Sequence, residues 1–173
     1  MRKTILNLGC GNKHLSDAVN VDRNIRVHPD VVHDLNCRPW PFADDSFAEV
    51  TAYDVIEHCE DVIATMEEIH RIARRHAVVK ITVPHFSSAN AFIDPTHKHQ
   101  FGHSSFDYVT GGNEFSFYTE KLYRRRVANI VFSRRLSNKV ASRLANRYPD
   151  VYEQRWAWMF PAWFLYFELE VIK

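Results

Sequence analysis

The sequence predicts an α/β fold with a doubly wound, mostly parallel sheet. Three observations carry that reading. Strand-like and helix-like segments alternate at the spacing of βαβ units. The strand-like segments are β-branched runs of the kind that suits a sheet covered on both faces. The first of them, in "ILNLGCGNKHL" (5–15), ends on two glycines, Gly9 and Gly11, and then turns polar.

Taken in order, Thr4–Leu8 reads as a buried first strand and 18–22 ("AVNVD") as a second, with only a short segment between them. A third strand falls in "DVVHDL" (30–35). The Pro- and Asp-rich loop "PWPFADDSF" leads into a fourth, in "AEVTAYDVIEH", where Val50, Ala52 and Tyr53 occupy strand positions. The spacing predicts a helix over 60–75, because Val62, Met66, Ile69 and Ala73 share one face. Glu60 and Asp61 at its start and Arg71, Arg74 and Arg75 at its end match the helix dipole. "AVVKITVP" (77–84) is a fifth strand closed by Pro84. From about 85 to 118 periodicity disappears into a polar, aromatic, His-rich stretch, read as a substrate loop or lid. A strand over 126–132, a helix over 136–147 and a closing strand in "WFLYFELEVIK" complete the chain, and residues 1–173 read as a single domain.

Composition narrows the class. Apolar residues make up 46% and charged residues 25%, which excludes a disordered chain. The apolar run at the start is too short for a signal peptide. The longest one, "WAWMFPAWFLYF" (156–167), is broken by Pro161 and falls short of the roughly 20 residues that cross a bilayer. Cys10, Cys37 and Cys59 form no CxxC pair, as expected in a reducing compartment. The expectation is a cytoplasmic protein without a transmembrane segment.

The net charge of +1 conceals a division. Residues 1–120 hold 11 Lys/Arg against 17 Asp/Glu, and residues 121–173 hold 11 against 4. Between 121 and 147 there are nine basic residues and no acid. Within the helix expected there, Leu136, Val140 and Leu144 make an apolar stripe and Lys139, Arg143 and Arg147 a basic one. The plain reading is a core stripe with a solvated face. The functional one is a peripheral contact with something anionic, either nucleic acid, a nucleotide-sugar, a lipid-linked glycan or a membrane surface. Trp156, Trp158 and Trp163 beyond it either stack on sugars or bases or fill a core.

In an open parallel sheet, ligands sit beyond the carboxyl ends of the strands. Glycine at such an end allows positive φ and close backbone approach. Asp22, at the end of the second strand, can accept both hydroxyls of a ribose, and Asp34, at the end of the third, the amine of an adenine. One nucleoside can thus span three neighbouring strand ends. A dinucleotide fingerprint would need glycine where His14 stands, and GxxxxGK[ST] is absent.

These motifs, "ILNLGCG", "VNVD", "DL" at 34–35, "PFADDSFAEV" and "DVIEHCED", resemble the class I S-adenosylmethionine-dependent methyltransferases, particularly small bacterial members of the type 11 group. The resemblance covers about residues 4–86 and, more loosely, the closing strand. It implies a Rossmann-like fold with a C-terminal antiparallel hairpin strand and S-adenosyl-L-methionine as cofactor. Asn7, Gly9, Cys10 and Gly11 would bind around the methionine part, with Asp22 on the ribose, Asp34 and Leu35 on the adenine, and Asp54 and Val55 along the cleft. The chain departs from the family at Asn7, usually an acid, and at Lys13, usually a glycine, and almost lacks the helix after the glycine loop.

A methyl transfer to oxygen benefits from a general base, most often histidine. The expected base is His85 or His97, with His58 in a positioning role. The acceptor is expected to be a small molecule or a glycan, since "YDVIEH" replaces the NPPY-like sequence of enzymes acting on base amino groups. The alternatives are an RNA methyltransferase and a non-catalytic cofactor-binding module. Asp94, His97, His99 and His103 match no strong zinc spacing, and no metal is expected.

Overall fold

A computed structural model describes residues 3–111, 114, 117–120, 122–133 and 138–173, the side chain of Asn138 excepted. The strands are β1 (Ile5–Leu8), β2 (Ala18–Asp22), β3 (Val31–Val32), β4 (Phe47–Tyr53), β5 (Ala73–Pro84), β6 (Tyr123–Val131) and β7 (Phe164–Val171). The helices are α1 (Val62–Ile72), α2 (Asn90–Ile93), α3 (Asn138–Arg147) and α4 (Pro149–Arg155). All seven strands join one sheet in the order β3-β2-β1-β4-β5-β7-β6. Pairings from β3 through β5 are parallel, and β7 lies antiparallel between β5 and β6. The mostly parallel α/β sheet and its antiparallel C-terminal pair are therefore as the sequence predicts.

The chain runs outward from β1 to β3, returns to the other side of β1 as β4, and continues outward to β5. Leu8 pairs with Val21 on one side and Ala52 on the other. That reversal places the ends of β1, β2 and β4 side by side, which is where a crevice opens in such sheets. The central strands supply Leu6, Leu8, Val50, Ala52, Val79, Ile81 and Val83 to the core without residual exposure, joined by Leu165, Phe167 and Leu169 of β7. Each fully buried Leu, Ile, Val or Phe contributes about 1.5–3 kcal/mol.

Elsewhere the boundaries move, for local reasons. No helix joins β1 to β2. A buried polar network holds that connection instead: the Asn7 amide donates to Asn20 Oδ1 (2.9 Å) and to the Lys13 carbonyl (3.0 Å), while Asp30 accepts from the Asn20 backbone (2.8 Å) and amide (3.0 Å). β3 shrinks to two residues, so Asp34 lies past its end. α1 stops at Ile72 rather than 75. Arg74 donates to the carbonyls of Asp45 and Ser46 (both 3.1 Å), and these bonds draw the chain into β5 early, with a register shift opposite Phe47–Glu49.

The expected loop over 85–118 is only partly a surface feature. Phe101 and Phe106 stack on each other (5.7 Å between centroids), Phe106 packs edge-on against Phe167 of β7, and Val109 is buried beside them. The 121–147 segment differs as well. Val140 and Leu144 are 69% and 56% exposed, so they form no core stripe, and Leu136 lies outside the described residues. Trp156, Trp158 and Trp163 are also exposed.

Candidate active site

A cleft of about 210 Å³ lies beyond the carboxyl ends of the parallel strands. Gly9, Asp22, Asp34, Leu35, Asp54, Val55 and His58, all singled out in the sequence, line it. Arg23, His33, Asn36, Cys59 and Thr96 line it too. Proximity in sequence to Asp22, Asp34 or His58 signals the first four, whereas nothing in the sequence marks Thr96.

The glycine loop is shaped for close approach. Gly9 and Gly11 have φ of 57° and 48°, the left-handed region that favours glycine. A Cβ on Gly9 would sit 2.3 Å from Val55 Cγ2, whereas one on Gly11 would meet nothing within 4 Å. Asp22 is pinned by that loop. Its Oδ2 accepts the Gly11 N–H (2.9 Å) and its Oδ1 the Asn24 N–H (2.8 Å). A carboxylate has about four lone-pair sites, so each oxygen retains capacity for a ribose hydroxyl. Asp34 is oriented by the Asn36 backbone and amide (2.9 and 3.1 Å). Asp54 has φ of 58°, a conformation Asp tolerates better than most residues, and accepts from Thr82 Oγ1 at 2.9 Å.

Asn7, Cys10 and Gly11 do not line the cleft, Gly11 reaching it only through its N–H bond to Asp22. Asn7, 4% exposed, spends its amide on the network behind the glycine loop, and its Oδ1 accepts from Thr51 Oγ1 (3.1 Å). Cys10 is buried, and its backbone N–H bonds the Val21 carbonyl (2.9 Å). Asn7 and Cys10 shape the loop from behind.

The three histidines separate sharply. His85, expected as a base, is fully buried at the end of β5. Its Nδ1 is 2.8 Å from Ser87 Oγ and its Nε2 3.1 Å from Glu153 Oε1 on α4. With both nitrogens engaged away from the cleft, it fastens α4 to the sheet and has no access to an acceptor. His58 lines the cleft, and burial pushes its pKa down, favouring the neutral ring. His97 stands behind it, the two rings edge to face at 4.7 Å.

Tautomers follow from the partners. Thr96 Oγ1 gives its one proton to Asp94 Oδ1 (2.7 Å), so at His58 Nδ1 (2.9 Å) it can only accept. The Thr96 carbonyl, 3.3 Å from the same nitrogen, also only accepts. His58 therefore carries its proton on Nδ1 and a free lone pair on Nε2. The Ala91 carbonyl at 3.3 Å sets the same tautomer in His97.

The arrangement is a nucleoside-sized crevice with a carboxylate at each strand end and an imidazole at its far corner. Residues 6–81 match the family model described as a methyltransferase domain. Among solved structures, the chain is similar to a chain of the Haloferax volcanii complex between the Trm112 methyltransferase activator and a methyltransferase, with 16% identity, TM-score 0.62, and coverage of 99% of this chain and 84% of that one. It is also similar to a Mesorhizobium loti S-adenosylmethionine-dependent methyltransferase (13% identity, TM-score 0.61, 98% and 93% covered). A third, from Archaeoglobus fulgidus, gives 14% identity, TM-score 0.60, and 96% and 85% coverage. No curated protein sequence matches the chain. The matched segment ends before β6 and β7, and the solved structures share the Rossmann-like sheet with this chain. No helix among the described residues is long and apolar enough to cross a membrane.

Proposed function

We propose that the protein transfers the methyl group of S-adenosylmethionine to a hydroxyl of a small-molecule or glycan acceptor. The observation that carries this reading is the alignment of Gly9, Asp22, Asp34 and Asp54 along one cleft that ends on His58. Asp22 holds the ribose hydroxyls, Asp34 and Leu35 the adenine, and Gly9 with Val55 the side nearest the methionine part. The bound cofactor supplies an electrophilic methyl on a sulfonium, so the protein's work is positioning, which supplies up to about 7–11 kcal/mol. The corner of His58, His97 and Thr96 receives the acceptor hydroxyl. His97 keeps a place there from the expected pair, and His58 takes the nearer one.

Fold alone does not assign the transfer, since the [4+2]-cyclase SpnF is also similar to the chain (TM-score 0.61, 12% identity, 97% of this chain and 74% of that one covered). Calorimetric titration with S-adenosylhomocysteine tests the site. Loss of two charge-assisted bonds in Asp22→Ala is expected to cost about 3 kcal/mol, near 150-fold in affinity. Heat unchanged by that substitution would remove Asp22 from the ribose. Tritium from the methyl donor, followed into fractions of cell extract, identifies the acceptor class, and label in RNA in place of small molecules or glycans would overturn the proposal.

The acceptor is further proposed to lie at an anionic membrane surface. Val140, Leu144, Tyr148 and Val151 project from α3 and α4 beside Arg143, Arg147 and Arg155, an apolar face rimmed by cations. Such a face, exposed apolar side chains beside arginines, fits anionic headgroups and acyl chains together. Co-sedimentation with phosphatidylserine vesicles, absent with phosphatidylcholine alone and lost in Leu144→Glu, is the expected result. Equal partition to both vesicles, or retention on RNA alone, would refute it.

A further inference from the structure

Among the described residues, Glu57 is the buried carboxylate with no hydrogen-bond partner on either oxygen, although it is only 1% exposed. Other buried carboxylates are satisfied. Glu68 accepts from Arg71 and the Trp40 backbone, and Glu170 from Arg126 with His76 at 2.7 Å. A buried carboxyl is ordinarily held by donors, and one left without partners is costly. The nearest complementary group, His97 Nε2, is 3.9 Å away, too far for a hydrogen bond.

We infer that Glu57, His58 and His97 form a binding site for a divalent first-row transition cation. One donor atom from each residue lies within 4.8 Å of the other two. Donors around a shared ion at about 2.0–2.2 Å stand roughly 3.4 Å apart, so a movement of about an ångström closes the set. Both imidazoles are already in the tautomer that leaves Nε2 unprotonated. Their Nδ1 atoms are held by Thr96 and the Ala91 carbonyl, the outer support that metal-bound histidines use. Asp94 enters this arrangement through Thr96 rather than as a ligand. His99 Nε2 bonds the Cys59 carbonyl (2.9 Å), and among the described residues the donor atoms that converge are those of Glu57, His58 and His97.

Two imidazoles and one carboxylate suit zinc, iron, cobalt or manganese and leave coordination positions open. Glu57 and His97 lie behind His58, and His58 and Thr96 face the cleft, so the open positions face the place assigned to the acceptor. A cation there holds acceptor oxygens and makes the hydroxyl more acidic, its proton leaving to water. That role rests on the methyltransferase reading, whereas the binding of the cation does not.

The test is titration of the full chain, stripped with EDTA, with Co²⁺ followed by its visible d–d absorption. Saturation at one equivalent is expected, with affinity at least about tenfold lower in Glu57→Gln, His97→Ala and Thr96→Val. Zn²⁺ should raise the melting temperature of the wild type and leave that of His97→Ala unchanged. Glu57→Gln replaces the carboxylate donor with an amide of the same shape, so it keeps the test valid if His97→Ala folds poorly. Equal Co²⁺ binding in wild type and Glu57→Gln, or no saturable binding, overturns the site. S-adenosylhomocysteine affinity is measured on the same proteins. Loss of the metal signal with nucleoside binding intact refutes the cation alone, and the reverse refutes the methyltransferase reading alone.

Discussion

Replacing Gly9 with alanine attacks the closest approach in the cleft wall. The new Cβ would lie 2.3 Å from Val55 Cγ2 and 2.8 Å from Val55 Cβ, at a φ of 57°. The left-handed backbone costs an alanine about 1–2 kcal/mol, and displacing a packed neighbour about 1–3 kcal/mol. Gly9→Ala should therefore destabilise the protein by about 2–5 kcal/mol, or about 4–20 °C in melting temperature for a chain of this size. Gly11→Ala is the internal control. Its φ of 48° imposes a similar backbone cost, but the added Cβ has open space, so the loss stays near about 1–2 kcal/mol. Urea unfolding measures both. Val55→Ala removes the 2.3 Å contact, so in the Gly9→Ala background it should cost less than in the wild type, giving a double-mutant cycle with favourable coupling. Strictly additive single and double variants, or Gly9→Ala within about 0.5 kcal/mol of wild type, would refute the argument.

Three further outcomes are expected. His85→Ala opens a cavity and strips a partner from Glu153, costing about 2–5 kcal/mol of stability. Methyl transfer per folded molecule should persist, and its abolition in a stable variant would return His85 to the chemistry. Glu68 gives an acid limb to the stability curve. Burial alone would raise its pKa, but the Arg71 and Trp40 donors outweigh that and hold it below the ordinary value. Because the folded-state value is the lower one, its contribution is complete above about pH 4.5 and drains away as pH falls through the folded value. Urea midpoints at about pH 7 and about pH 3 should therefore converge in Glu68→Gln relative to wild type, and parallel curves would contradict the assignment. Arg71→Met should remove the same acid dependence from the other side, at a larger cost near neutrality, since it leaves the Glu68 charge buried and unpaired.

The cleft was legible because its residues sit at strand ends. Gly9, Asp22 and Asp54 each follow an apolar run, and the chemistry of a nucleoside dictates what those tips must offer. The sheet was legible for the same reason, through the unbroken runs of β1, β4 and β5. What escaped was whatever depends on partners distant in sequence. His85 looks like any loop histidine until α4 brings Glu153 against it across 68 positions. Nothing in "DVIEHCED" singles out Glu57, and only the fold shows it buried near His97. α3 shows the converse failure. Its period suggests an apolar seam, yet nothing among the described residues covers Val140 and Leu144, because periodicity reports a shared face and not what lies against it. The early start of β5 escaped too, since Arg74 is drawn out of the helix by carbonyls in a preceding loop.

The polar knot of Asn7, Asn20 and Asp30 stands where proteins that grip phosphates put the start of a helix. Without that helix there is no bundle of free amides and no positive dipole end aimed at the ligand. The nearest fixed charges are instead the carboxylates of Asp22, Asp34 and Asp54, countered along the rim by Arg23 and by Lys13, whose Nζ lies 3.7 Å from Asp54. A nucleotide tail would be turned away by such a wall, whereas a ligand bearing a positive sulfur is drawn in. The crevice sorts its visitors by sign before shape is consulted, and ATP at cellular abundance should leave it free for a scarcer cationic guest.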